Sequence, residues 1–225
     1  MHMRGEEMGN TYKVGAMNEN FVRRFYDVEL ETREQDDYGI ISGHPIVYNS
    51  RADLGYFDEI IEAGALDTAD LNDVRLCLNH DTSYVYARSR RNNGNSTMKL
   101  FVNNTGLDIE ANLAIGESPK ARDYFSAVKR GDIDKMSFMF TIDDEEWENL
   151  ESTHPLRRIK KIGSVFEVSA VTFPAYDSTS INARSKETLD NARLALDKAK
   201  QRSEQAVDTD LLELEKMKLR FKGGH

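Results

Sequence analysis

The 225-residue sequence predicts an α+β protein that is mainly β: an antiparallel, closed or nearly closed β-barrel with a few flanking helices and a long C-terminal helix. Three observations carry this expectation. Short runs of alternating apolar and polar residues, broken by Gly, Asn and Asp, recur between Phe21 and Phe173. The segment 118–131 instead repeats its apolar residues every three or four positions. From Ser185 to Lys222 there is neither Pro nor Gly, and charges of both signs are dense, as in a solvated helix.

The elements follow in order. Residues 1–19 are polar, contain Gly5, Gly9 and Gly15, and hold no apolar period, so a disordered lead-in is expected. Period two begins at Phe21, with Phe21, Arg23 and Phe25 on one side and Val22, Arg24, Tyr26, Val28 and Leu30 on the other. Further strands are expected at Ile40–Tyr48, Val74–His80, Tyr84–Arg88, Met98–Val102, Gly106–Ala114, Met136–Ile142 and Val165–Phe173. The clearest alternates Leu107, Ile109, Ala111 and Leu113 with Asp108, Glu110 and Asn112. A short helical piece is expected near Phe57–Ala63. The central helix has Ser118 as N-cap, Pro119 at its first position, the stripe Ala121, Phe125 and Val128, and Gly131 as its stop. The acidic run Asp143–Glu151 around Trp147 reads as a solvated hairpin tip.

In the C-terminal segment, Leu189, Ala192, Leu196 and Ala199 form one stripe, and Val207, Leu211, Leu214, Met217 and Phe221 a second. Continuous, it would reach ~57 Å at 1.5 Å per residue. A helix cannot bury its stripe against itself, so this one must pack on the preceding domain or on another chain. The expected organisation is therefore a lead-in at 1–19, one domain at 20–184 and a charged amphipathic tail at 185–225.

Composition narrows the function. Lys and Arg number 30 against 39 Asp and Glu, a net charge of −9, which argues against nucleic-acid binding through a general basic surface. No apolar stretch approaches the ~18 residues that span a bilayer, and Met1–Ala16 has no apolar core of a secretory signal, so no membrane partner is expected. The single cysteine, Cys77, excludes internal disulfides and multi-cysteine zinc, and suits a reducing cytoplasm.

Candidate chemistry rests on three residues far apart in the chain. His80 ends the apolar run Val74–Leu78, where alternation groups it with Leu76 and Leu78. Ser137 lies in Met136-Ser137-Phe138-Met139-Phe140, sharing a face with Met139. Glu167 lies in the apolar strand Val165–Phe173, where a buried carboxylate needs a partner. Taken singly, His80 reads more readily as a rim residue, Ser137 as small filler and Glu167 as a surface position. Together they permit a triad, in which Glu167 fixes the His80 tautomer and His80 takes the Ser137 proton. Two rivals remain open. A Cys77–His80 pair is disfavoured, because strand alternation points Cys77 away from His80. A metal held by His80-Asp81 lacks a second histidine cluster.

At these residues the chain closely resembles the prohead (head maturation) proteases of tailed bacteriophages, a family related to the herpesvirus assembly proteases. The ordered landmarks are Ile41-Ser42-Gly43 with Val47-Tyr48-Asn49, then Asp58-Glu59-Ile60-Ile61-Glu62-Ala63-Gly64-Ala65 and Leu78-Asn79-His80-Asp81. They continue through Ala121-Arg122-Asp123-Tyr124, Val128-Lys129-Arg130-Gly131-Asp132, Lys135–Phe140 and Phe166–Tyr176, covering about residues 20–184. The resemblance implies a cofactor-free serine endopeptidase with Ser137 as nucleophile, His80 as general base and Glu167 as its acidic partner. It implies the major capsid protein and its scaffold region as substrates, cleavage of itself, possible self-association, and a location in the host cytoplasm inside the assembling procapsid. The family often has Ser-Phe-Gly-Phe where this chain has Met139, which bears on the cleft or a substrate pocket. The region Ala87-Arg88 is a candidate source of an oxyanion-binding N–H. The alternative function is a non-catalytic scaffold or capsid-binding module acting through the helical tail.

Overall fold

The computed structural model describes residues 21–26, 30–172, 190–206 and 209. The expected lead-in, the stretch Phe173–Leu189 and the whole second apolar stripe of the tail lie outside the described residues. Strands β1 (Phe21–Tyr26), β2 (Glu31–Gln35), β3 (Tyr38–Val47), β4 (Arg51–Asp53), β5 (Asp58–Ile61), β6 (Asp73–Leu78), β7 (Ala87–Arg90), β8 (Met98–Val102) and β9 (Gly106–Leu113) precede helix α1 (Pro119–Lys129). Two long strands follow, β10 (Lys135–Glu148) and β11 (Leu156–Val171), and then a helix over 190–206, here α2.

The strands form two sheets. One is four-stranded and antiparallel, in the order β2-β3-β9-β8. The other is seven-stranded, with the path β1-β10-β11-β5-β4 and with β6 and β7 attached alongside β11. The consecutive strands β1 and β2 belong to different sheets, so the chain crosses between them there. On the other side Thr97 N–H donates to the Arg88 carbonyl at 2.9 Å, beside the facing ends of β7 and β8.

The α+β, mainly β class is as expected, but the antiparallel, closed or nearly closed barrel is corrected. Among the described residues the sheets do not close, and β11 pairs in parallel with β5 along its first half and with β6 along its second. The reason is the length of β11: a strand of 16 residues offers its outer edge to two shorter strands in turn. Alternation assigns side chains to faces and is blind to the direction of the neighbouring strand.

Three local expectations also change. The helical piece near Phe57–Ala63 is strand β5, whose backbone is held between β4 and β11. The strand expected at Tyr84–Arg88 begins at Ala87, with Tyr84 in the preceding loop. The acidic run is not a free tip: Asp143–Glu148 continue β10, cross-paired to Leu156–Lys161 by Glu146–Lys160, Glu148–Arg158 and Glu145–Arg157 ion pairs. Opposite charges across a strand pair replace the apolar pattern that sequence reading looks for.

The main core lies between the sheets and is closed by α1. Ile41, Leu76, Met98, Leu107, Leu113, Met136, Phe138 and Phe140 are fully buried in it. Helix α1 forms as its signals require: Ser118 Oγ accepts from Ala121 N–H at 3.2 Å, Pro119 needs no partner, and Gly131 ends the helix at φ +76°. It buries Ala121, Tyr124, Phe125 and Val128. Gly39 is required beneath it, because a Cβ there would stand 2.5 Å from the Phe125 ring. A second cluster joins Leu54 and Phe57 to Ala192 and Leu196 of α2, with Trp147 packed alongside. The described part of the tail therefore docks on its own domain.

Candidate active site

The hairpin of β10 and β11, with β6 beside it, sets three residues in one row: Ser137 opposite Ser169, and Ser169 opposite Cys77. Directly paired residues share a face, so the row beginning at Met139 and Glu167 lies on that same face. The intervening Met136, Phe138, Ala170 and Val168 point into the core. Ser137 and Ser169 are fully buried, and Glu167 is only 1% exposed.

His80 reaches this face through a turn, not through strand alternation. Strand β6 stops at Leu78, and Asn79 (φ +51°) and His80 (φ +61°) are both left-handed. That backbone costs on the order of 1 kcal/mol or more per non-glycine residue and persists only where surroundings enforce it. Here they do. Asn79 N–H donates to the Ala170 carbonyl at 3.0 Å, and Asn79 Oδ1 accepts from Thr172 N–H at 3.0 Å. His80 N–H donates to Ser169 Oγ at 3.1 Å, and Asp81 N–H closes the turn on the Leu78 carbonyl at 2.9 Å.

The imidazole then lies between two partners. His80 Nδ1 hydrogen-bonds Glu167 Oε1, and His80 Nε2 is 2.7 Å from Ser137 Oγ. The second carboxylate oxygen of Glu167 accepts from Ser169 Oγ at 2.5 Å. Ser137 Oγ also donates to the Arg24 carbonyl of β1 at 2.8 Å. Met139 is buried on the same face, directly across the strands from Glu167, and helps keep water from the carboxylate. The three side chains singled out from sequence are thus in one hydrogen-bonded line. Ser169 and Arg24, which complete it, carry no sequence signal: one is a small strand residue, and the other contributes only its backbone.

The rival arrangements fare differently. The expectation that Cys77 points away is corrected: it shares the row of Ser137 and Ser169, because the left-handed turn at Asn79-His80 reverses the facing that alternation assigns to His80. Cys77 is nonetheless fully buried, and burial, reinforced by the Glu167 charge, pushes its thiol up to about 12, so it is not a thiolate. Both nitrogens of His80 are engaged, and Asp81 Oδ1 accepts from Ser83 N–H at 3.0 Å. That Ser83 contact depresses the Asp81 carboxyl below its ordinary value. Metal-ligand types gather elsewhere: Asp53, Asp58 and His154 offer ligand atoms within 4.8 Å of one another, with Asp58 already bound by Arg51. In the Ala87-Arg88 region the Arg88 N–H is already engaged, donating to Thr97 Oγ1 at 2.9 Å, and the Arg88 guanidinium forks onto Asp73.

Comparison with known families agrees with the landmarks. The family described as caudovirus prohead serine protease matches residues 27–193. The chain belongs to that family. No curated protein and no solved structure matches it significantly. The matched span contains β2 to β11 and the whole Ser137–His80–Glu167 line, together with the first residues of α2. The family is one of serine proteases of phage head maturation. No described helix is long and apolar enough to cross a membrane.

Proposed function

We propose that this chain is a serine endopeptidase in which Ser137 is the nucleophile, His80 the general base and Glu167 the group that orients His80. The observation that carries the reading is the hydrogen-bonded line itself, with Ser137 Oγ 2.7 Å from one imidazole nitrogen and Glu167 on the other. A serine hydroxyl is a weak nucleophile until a base removes its proton. Glu167 accepts from Nδ1–H, which leaves Nε2 free of hydrogen and able to receive that proton.

In the acylation step, Ser137 Oγ forms a bond to the peptide carbonyl carbon while its proton passes to His80 Nε2. The imidazolium gives this proton to the departing amine as the C–N bond breaks. Water, deprotonated by His80, then attacks the acyl ester, and the carbonyl–Oγ bond breaks as His80 returns that proton to Oγ, which restores both residues. The buried surroundings of Glu167 strengthen its attraction for the transient imidazolium. No metal or organic group takes part in these steps.

The substrates proposed are the major capsid protein with its scaffold region, and the protease chain itself, inside the assembling procapsid of the host cell. Mass spectrometry of capsid protein incubated with the wild type and with Ser137→Ala tests the reading. Defined fragments with the wild type and none with Ser137→Ala are expected. Equal cleavage by both would remove Ser137 as nucleophile, and unchanged capsid protein with both would remove the substrate assignment.

A further inference from the structure

Ser137 has one proton and two claimants for it. Its Oγ is 2.8 Å from the Arg24 carbonyl, which can only accept, and 2.7 Å from His80 Nε2, which must accept for catalysis. If the proton points to Arg24, the contact with Nε2 requires a hydrogen on that nitrogen, and the base is then occupied. If the proton points to His80, two oxygen lone-pair regions face each other across 2.8 Å. The position of β1 therefore opposes the proton arrangement that the reaction needs.

The carbonyl is held in place by its own residue. Strand β1 is an edge strand, paired to β10 with Arg24 opposite Phe138 and Phe25 opposite Ser137. The Arg24 guanidinium is buried and forks onto Glu59 of β5, through Nε to Oε1 and through Nη2 to Oε2 at 2.7 Å. Glu59 is itself 1% exposed and is also bound by Arg157 at 3.3 Å, which in turn holds Glu145 at 2.7 Å. A bidentate buried pair of this kind fixes geometry more firmly than backbone pairing at a sheet edge.

We infer that the Arg24–Glu59 clamp is an autoinhibitory device: it locks β1 so that the Arg24 carbonyl ties up the Ser137 hydroxyl, and activation requires β1 to withdraw from Ser137. Arg24 is then a positioning residue acting through its backbone, not a catalytic one. The inference rests on the role proposed above for Ser137.

The test is the rate at which a fluorophosphonate labels Ser137 in the full chain. Labelling of the wild type that is lost in Ser137→Ala concerns the nucleophile alone, and absence of any labelling would sink that reading separately. For the clamp, Arg24→Gln is expected to label about tenfold faster, the worth of one released hydrogen bond. Arg24→Lys, which keeps the charge on Glu59, should return toward the wild-type rate. A purely structural role would slow labelling instead. Hydrogen exchange on the wild type removes any dependence on folding of the variants. Amides of residues 21–26 should exchange faster once Ser137 carries the phosphonate. Labelling of Arg24→Gln no faster than wild type, or unchanged exchange at 21–26 after labelling, would overturn the inference.

Discussion

Replacing Glu167 by glutamine removes the carboxylate charge and keeps the shape. Glu167 is 1% exposed, with one oxygen on His80 Nδ1 and the other on Ser169 Oγ. Opposite unit charges about 4 Å apart attract by about 4 kcal/mol at an effective dielectric constant of ~20. The imidazolium exists only as Ser137 gives up its proton, so this attraction belongs to the transition state and not to the ground state. At 1.36 kcal/mol per decade, kcat should fall by about 10³ in Glu167→Gln, with KM changed less than about threefold. The amide can still accept from Ser169, so the fold should survive, and a melting curve run beside the assay checks it. The assay is turnover of a fluorogenic peptide taken from a cleavage site found by mass spectrometry. A kcat within threefold of wild type, at an unchanged melting temperature, would refute the role of Glu167 and the argument from its burial.

Three further outcomes are expected. Phe57→Ala should lower stability by about 3–5 kcal/mol, because the fully buried ring carries the second core cluster and packs 4.7 Å from Trp147; thermal unfolding reads it directly. Trp147 is the single tryptophan, so Leu196→Asp, which puts a charge into the α2 contact, should red-shift tryptophan emission of the native protein; an unshifted spectrum would mean that α2 does not dock there in solution. Burial works to raise the Glu145 carboxyl, but the charge and hydrogen bonds of Arg157 outweigh it and hold it below its ordinary value. A depressed carboxyl stabilises the fold above the unfolded value near ~4.3 and loses that contribution as pH falls through the lower folded value. The melting temperatures of wild type and Glu145→Gln should therefore differ at pH 6 and converge only as the pH falls below that depressed folded value.

Particular elements show where sequence reading reaches its end. Helix α1 was legible to the residue, because its cap, its proline, its stripe and its glycine are all local signals. Strand β9 was equally plain, since one face is buried and the other is polar. Strand β5 looks helical in sequence because Phe57, Ile60 and Ile61 fall at i, i+3 and i+4 in a segment too short to fix a period, and its state is set by β4 and β11 on either side. The distal halves of β10 and β11 were missed because ion pairs across the ladder, not apolar alternation, hold them. Alternation groups His80 with Leu78, whereas two left-handed residues swing it to the face of Cys77, and nothing local in the sequence marks that turn.

By itself the sequence determined the mainly β class and the central helix, because composition and periodicity are properties of the chain alone, and its ordered landmarks carried the family resemblance that singles out Ser137, His80 and Glu167. Only the tertiary structure decided strand direction, the parallel attachment of β5 and β6, the docking of α2, and the convergence of Ser137, His80 and Glu167 with the Arg24 carbonyl. Each of these joins residues tens of positions apart, and a backbone carbonyl leaves no mark in the identity of its residue. Their energy comes from burial and hydrogen bonds that exist only once the sheets have assembled.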